Sequence, residues 1–247
     1  MSTVVRRSLV ALVLAIGTMV VAIASSDVVR GFAYFLWAKL RGGYSINERL
    51  ALHGPEVETR LRPRFLAAGV TYPPHELSYV SFKDTRRLEV YGRGSPNQPW
   101  QFVLEYPVLG ASGTLGPKLM EGDNQVPEGI YAAEYLNPNS RFHLSIRLNY
   151  PNEFDRQMAE SDGRTKLGGD IMIHGSSSSI GCLAVGDQAA EDLFVLAALV
   201  SRDRLRIIVS PTDFRQPAAQ VPVLEPVWVG TLYDSIRAEL QQYRRRT

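Results

Sequence analysis

Between Leu77 and Ser210 the chain is written in short apolar runs separated by turn residues, and no other feature constrains its fold as tightly. Leu77 to Phe82, Leu88 to Arg93 and Phe102 to Leu109 have strand length and carry β-branched and aromatic residues. Lys-Asp, Gly-Ser-Pro-Asn and Gly-Ala-Ser-Gly turns follow them in that order. Ile130 to Tyr135, Phe142 to Leu148 and Asp170 to His174 continue the pattern, and Arg206 to Ser210 reads as a buried strand. The segment from Asn149 to Gly169 is too long and irregular for a hairpin, and loops of that kind often carry function.

Helical patterns flank these runs. Val57, Leu61 and Phe65 predict a helix between Glu56 and Ala68, kinked or shortened by Pro63. Asp187 is the expected N-cap of another, with Leu193, Phe194, Leu196, Ala197 and Val200 on its apolar face. Pro211 to Pro226 reads as a wrap or linker, and Leu232, Ile236 and Leu240 mark a last helix before a basic tail at Tyr243. The expected fold is mainly β with peripheral helices (α+β), its sheet mixed and mainly antiparallel.

A hydrophobic content of 45% and a charged content of 21% exclude disorder as the main state of these 247 residues. The 27 basic and 25 acidic residues are spread along the chain, so no patch points to nucleic acid as a partner. The N-terminus does point somewhere. Arg6-Arg7 precedes an uncharged apolar run from Ser8 to Ala24. Its Ala22-Ile23-Ala24-Ser25 ending suits a cleaved signal peptide, while its length also suits an uncleaved membrane anchor with the arginines inside. Either way an exported, periplasmic location is expected, with contact to the inner membrane through this segment. Val28 to Leu40 reads as a short helix, lying on the membrane surface or packed on the domain. The expected organisation is residues 1–24 as signal or anchor, 25–76 as a helical neck, 77–210 as the main domain and 211–247 as a C-terminal extension with a helix.

The chain has one cysteine, so no intrachain disulfide forms; in an oxidising compartment a lone thiol is buried and inert, paired to another chain, or chemically used. Cys182 stands eight positions after His174 in a Gly/Ser-rich stretch. A strand delivers His174 and a flexible return delivers Gly181-Cys182. In a catalytic pair the imidazole would take the thiol proton, the Gly175 carbonyl would hold the other ring nitrogen, and the Cys182 amide would donate to an oxyanion. Spacing alone does not separate such a pair from coincidence. No Gly-x-Ser-x-Gly elbow accompanies Ser176 to Ser179, which read as loop formers, with Ser179 a candidate donor to substrate. His53, His75 and His143 show no metal-ligand spacing and no His-Glu-x-x-His is present, so neither a metal site nor a cofactor is expected.

Several ordered motifs then align. Gly122-Asp123-x-x-x-Pro127-Glu128-Gly129-Ile-Tyr131, Asn137-Pro138-Asn139-Ser140-Arg141-Phe142, Tyr150-Pro151-Asn152-x-x-Asp155-Arg156, Gly163-Arg164-Thr165 and His174-Gly175-x-x-x-Ser179-x-Gly181-Cys182-x-Ala184 resemble the YkuD-type L,D-transpeptidase catalytic domain, in its YafK-like branch. The resemblance covers roughly Leu77 to Ser210. It implies a wall-facing enzyme of peptidoglycan stem peptides, in which a cysteine thiolate attacks the carbonyl at the L-centre of the third-position diamino acid. An amine acceptor then gives a crosslink or an attached protein, and water gives hydrolysis. By this resemblance Cys182 is the nucleophile, His174 the general base, Gly175 the backbone orienter, and Gly181 and Cys182 the oxyanion amides. Arg141, Arg156 and Arg164 are candidates to meet a stem-peptide carboxylate, each with the alternative of a local structural pairing.

Departures from the broad family are equally informative. It carries Ser-His-Gly-Cys, an arginine two residues after the cysteine and a longer His-to-Cys interval, where this chain has Ile180, Ala184 and a short interval. These changes fit the YafK-like branch, which in at least one setting releases a wall-attached lipoprotein by amide hydrolysis. Ser177 stands where a second cysteine occurs in that branch.

Overall fold

The computed structural model describes residues 42–216, 219 and 226–244. The N-terminal apolar run and the Val28 to Leu40 segment fall outside the described residues. The fold is that of the compact unit from Ser45 to Thr247. Among the described residues no helix is long and apolar enough to cross a membrane.

In chain order the elements are α1 (Ile46–Ala67), β1 (Glu76–Phe82), β2 (Arg87–Arg93), β3 (Trp100–Pro107), β4 (Gly129–Ser140), β5 (His143–Leu148), α2 (Glu153–Ser161), β6 (Met172–His174), β7 (Leu183–Ala184), α3 (Asp187–Val200), a 3-10 turn (Arg202–Arg204), β8 (Leu205–Ser210), α4 (Val229–Leu240) and β9 (Tyr243–Arg244). The strands form one nine-stranded sheet in the order β7-β6-β5-β4-β8-β1-β2-β3-β9. Most neighbours run antiparallel, and β1–β8, β3–β9 and β6–β7 are the parallel pairs. The sheet is mixed and mainly antiparallel with helices around it, as the sequence leads one to expect.

Strand alternation explains how one sheet supports two cores. Leu77 and Tyr79 of β1 and Ile207 and Val209 of β8 face α1 and α3, where Val57, Leu61, Phe65, Leu193 and Phe194 are buried with them. Val80, Phe82 and Ile208 face the opposite way, onto Leu232, Tyr233, Ile236 and Leu240 of α4. Both faces of the central strands are covered, which is why they read as near-continuous apolar runs.

Three local expectations are corrected. First, α1 starts ten residues before Glu56 and runs straight through Pro55 and Pro63. A reciprocal capping box sets its start, Ser45 Oγ accepting from the Glu48 amide at 3.2 Å and Glu48 accepting from the Ser45 amide at 2.8 Å. Both prolines, and the Ala51 and Thr59 positions whose carbonyls lose a partner to them, are exposed, so water satisfies what the rings remove.

Second, the stretch from Asn149 to Gly169 contains a helix, α2. Its cap is Asn152-x-x-Asp155, with Asn152 Oδ1 accepting from the Asp155 amide at 3.0 Å and Asp155 Oδ2 accepting from the Asn152 amide at 2.9 Å. Third, Gly186, at φ +83, is the N-cap of α3, and Asp187 is its first helical residue. The Asp187 carboxylate is used elsewhere, accepting from the Ser176 amide at 2.8 Å.

β4 also continues to Ser140 across the Asn137-Pro138-Asn139 segment, with irregularities in its pairing to β5. Ser140 pairs with His143, leaving Arg141-Phe142 as the tip of a tight hairpin. Arg49 of α1 fixes this stretch by donating Nε–H to the Pro138 carbonyl at 2.8 Å.

Candidate active site

β6 and β7 are short, parallel and adjacent, pairing Ile173 with Leu183 and His174 with Ala184. Ile173 and Leu183 are buried in the core. Alternation therefore turns Met172, His174, Cys182 and Ala184 toward the other face of the ladder. Ser145 and Arg147 of β5 join that face, since they pair with His174 and Met172.

His174 is 2% exposed and its Nδ1 lies 2.6 Å from the Gly175 carbonyl oxygen, which selects the tautomer with the proton on Nδ1 and leaves Nε2 to accept. The Phe142 ring stacks over the imidazole, with centroids 4.7 Å apart and planes 29° from parallel. Burial pulls the imidazole below its ordinary pKa against the opposing effect of the Gly175 carbonyl, so it is neutral at neutral pH.

Gly175 has no room for a side chain. A Cβ there would meet Asp187 Oδ1, the Phe142 carbonyl at 2.7 Å and His143 Cβ at 3.0 Å. Its small size lets the carbonyl reach the imidazole while the Asp187 carboxylate holds the next amide.

Cys182 is partly buried. Its Sγ accepts from the Met172 amide at 3.4 Å and donates to the Asp170 carbonyl at 3.5 Å. Burial pushes the thiol above its ordinary pKa; the Met172 amide, the Ser179 hydroxyl and Lys118 pull down, and Asp170 pushes up. The thiol and the imidazole are thus both neutral near pH 7 and on one face of the ladder, with no hydrogen bond between them among the described residues.

Both amides proposed for an oxyanion engage side-chain oxygens. Cys182 N–H donates to Ser179 Oγ at 3.0 Å, and Gly181 N–H donates to Ser112 Oγ at 2.7 Å. Gly181 adopts φ +81, a conformation that favours glycine. Ser112 donates on to the Asn124 carbonyl at 2.7 Å, tying the 110–126 loop to the Gly181-Cys182 turn.

That loop is organised by the two acids of the Gly122 to Tyr131 motif. Asp123 accepts from Lys118 Nζ at 2.6 Å and from the Leu119, Met120 and Gln125 amides. Burial would raise its carboxyl, but these donors outweigh burial and hold it below the ordinary range. Glu128 is 1% exposed and accepts from Lys83 Nζ at 2.9 Å, the Gly116 amide at 2.7 Å and the Tyr233 hydroxyl at 2.7 Å.

The three candidate arginines fall in different places. Arg141 is exposed at the hairpin tip, next to the phenyl ring that covers His174. Arg156 is exposed on α2. Arg164 is engaged, donating to Asp162 Oδ2 at 2.9 Å and to the Leu119 carbonyl at 2.8 Å, with its guanidinium over the Trp228 ring. Ser179 sits at the thiol, using its oxygen to accept from the Cys182 amide and its hydroxyl to hydrogen-bond the sulfur.

Sequence reasoning missed Arg147, which lies 3.2 Å from Asp170 Oδ1 and 3.0 Å from Glu134 Oε2 on the thiol-bearing face. It also missed Ser112 and Asp187, whose roles come from contacts across the fold. Only register could have revealed Arg147, through its place opposite Met172.

One further group of side chains has metal-ligating chemistry: His53, His143 and Glu191, which three separate elements bring together.

No family model matches the chain. Over 146 residues it is 34% identical to Putative L,D-transpeptidase YafK of Escherichia coli, in both strain K12 and O157:H7. The match covers 58% of this chain and 51% of each relative, so the chain spans about half the length of the relatives it matches. Over this segment the chain is similar in sequence to those L,D-transpeptidase relatives. Among solved structures it is similar to the helical cell shape determining protein Pgp2 from Campylobacter jejuni, at 21% identity and a TM-score of 0.44, covering 67% of this chain and 56% of that one. It is also similar to Mycobacterium tuberculosis L,D-transpeptidase 1, at 16% identity and a TM-score of 0.32, covering 55% and 62%. Both are loose likenesses.

Proposed function

We propose that this chain is a cysteine-dependent acyl-transfer enzyme acting on peptidoglycan stem peptides. The observation that carries the reading is the placement of Cys182 and His174 on one face of the β6–β7 ladder, within the segment related to L,D-transpeptidases.

In this reading His174 Nε2 takes the thiol proton as Sγ attacks the carbonyl on the L-centre of the third-position diamino acid. The tetrahedral oxyanion replaces the serine oxygens on the Gly181 and Cys182 amides, and its collapse expels the amine, which takes the proton from His174. The product of this half-reaction is a thioester on Cys182. An amine acceptor then gives a new amide, and water gives the free carboxylate. Arg141, at the hairpin tip, is the candidate for a stem-peptide carboxylate, since no local partner holds its guanidinium among the described residues.

The same acyl-enzyme serves a second reading, an amide hydrolase that releases a protein attached to the wall. Ile180, 77% exposed beside the nucleophile turn, favours it as an apolar contact for a protein leaving group. We further propose that residues 1–24 export the chain and that the domain works in the periplasm.

The test is mass spectrometry of muropeptides incubated with the protein and with Cys182→Ala. Crosslinked or shortened stems, with a Cys182 adduct trapped by a carbapenem, are expected from the wild type alone. Sacculus binding without turnover or adduct refutes catalysis and leaves a non-catalytic peptidoglycan-binding domain. Cleavage of ordinary L,L peptides in place of muropeptides refutes the substrate class.

A further inference from the structure

The hairpin that covers His174 is held from its other side by a second cluster. His143 follows Phe142 at φ +72, a region that non-glycine residues seldom adopt. Its Nε2 lies 2.9 Å from Glu191 Oε1 on α3, and His53 Nδ1 of α1 lies 3.3 Å from the same oxygen. The two imidazoles meet edge to face with centroids 5.4 Å apart. One donor atom from each of the three residues lies within 4.8 Å of the other two. Their side chains are 12%, 24% and 18% exposed for His53, His143 and Glu191, so protein encloses the cluster and leaves it a solvent path.

As a hydrogen-bonding group alone this arrangement is poorly compensated. His53 gains one long contact through Nδ1 while its Nε2 is buried with no partner. As a coordination group it is well matched. Two imidazole nitrogens and one carboxylate oxygen form the His2Glu donor set of three-ligand zinc sites, which keep a fourth position for water. Tetrahedral geometry at ordinary Zn–N and Zn–O lengths separates donor atoms by about 3.3 Å. The observed 2.9 and 3.3 Å lie within a few tenths of an ångström of that edge. Arg60 lies 3.5 Å from Glu191 Oε2, but it is paired at 2.7 Å with Asp192, so its charge is balanced locally.

We propose that His53, His143 and Glu191 form a site for one divalent transition metal of the zinc class. The ion joins α1, α3 and the β4–β5 hairpin, fixes the unusual backbone at His143, and thereby seats the Phe142 ring over His174. The three ligands are positioning residues that act through the β4–β5 hairpin.

The experiment uses the full chain in detergent with Cys182→Ser, which removes the thiol as a competing ligand. Chelator-stripped protein is titrated with Zn2+ by calorimetry and with Co2+ by visible absorption. One equivalent is expected to bind, with Co2+ giving the intense d–d bands of a tetrahedral site and Zn2+ raising the unfolding temperature. Adding Glu191→Gln, which can still hydrogen-bond both imidazoles, or His53→Ala should weaken Zn2+ binding at least about tenfold, the scale of even an outer-shell loss. Glu191→Gln should also abolish the Co2+ bands. Absence of saturable binding in the Cys182→Ser protein, or binding that both added substitutions leave unchanged, overturns the proposal.

Discussion

Gly175→Ala tests the site through a single methyl group. Gly175 is not among the positive-φ glycines, so the substitution carries no backbone penalty and its cost is steric. The new Cβ would press on Asp187 Oδ1, stand 2.7 Å from the Phe142 carbonyl and 3.0 Å from His143 Cβ. Two of these neighbours are backbone or Cβ atoms that cannot swing aside. Overpacking of this kind costs about 1–3 kcal/mol. For a domain of this size that lowers the unfolding temperature by about 2–12 °C. The relief available is displacement of the 174–176 backbone, which moves the carbonyl that fixes His174 Nδ1. A misplacement of about 1 Å in a reacting group costs on the order of 100-fold in rate. We expect kcat for muropeptide turnover to fall by about that factor, while sacculus binding changes little. Differential scanning calorimetry and mass-spectrometric rate measurements read the two effects. Wild-type stability together with wild-type kcat would refute the assigned role of Gly175. Gly54→Ala in α1 is the control for turnover, since a Cβ added there meets nothing within 4 Å beyond its own helix and chain neighbours; kcat should stay at the wild-type value.

Burial raises the Cys182 thiol, so iodoacetamide alkylation should climb with pH through and above 9 and show no plateau between pH 5 and 8; such a plateau would mean a preformed thiolate–imidazolium pair. His174→Ala should leave that resting profile in place, because no hydrogen bond joins the two groups, yet abolish turnover. Burial also raises the Asp155 carboxyl to about 6. The folded chain then holds a proton that the unfolded chain releases near pH 4, so stability should fall as pH rises from about 4 to 6, by up to about 3 kcal/mol; urea midpoints across that range, compared with Asp155→Asn, measure it. Lys83→Met strands the buried Glu128 carboxylate and should cost about 3–5 kcal/mol in urea unfolding, whereas Lys83→Met with Glu128→Gln should recover part of that loss.

The sheet was legible because its central strands are buried on both sides and so read as apolar runs. β7 and β9 were too short to show a period, and their strand state comes from pairing with β6 and β3. α2 was hidden because one buried residue, Ala159, anchors it, so apolar spacing is faint. The Asn152-x-x-Asp155 motif that drew attention as part of a resemblance is, physically, its cap. Pro63 argued for a kink or an early stop, yet α1 runs on past it to Ala67, with the ring on its exposed face. At the site, His174, Gly175, Ser179, Gly181 and Cys182 were readable because they are close in sequence. Ser112, Arg147 and Asp187 were not, since their contacts arise only once the chain has folded. The convergence of His53, His143 and Glu191 is of the same kind, depending on α1 packing beside α3.

The parallel pairing of β1 with β8 bears on how this protein is made. Leu77 pairs with Leu205 and Phe82 with Ser210, so more than half the chain lies between partners at the centre of the sheet. Closing so long a loop delays folding and keeps the ladder open until late. A chain still emerging from the ribosome has released Cys182 before β8 exists to complete the sheet that supports it. The thiol and its immediate neighbours are thus synthesised before the strand that completes the sheet beneath them.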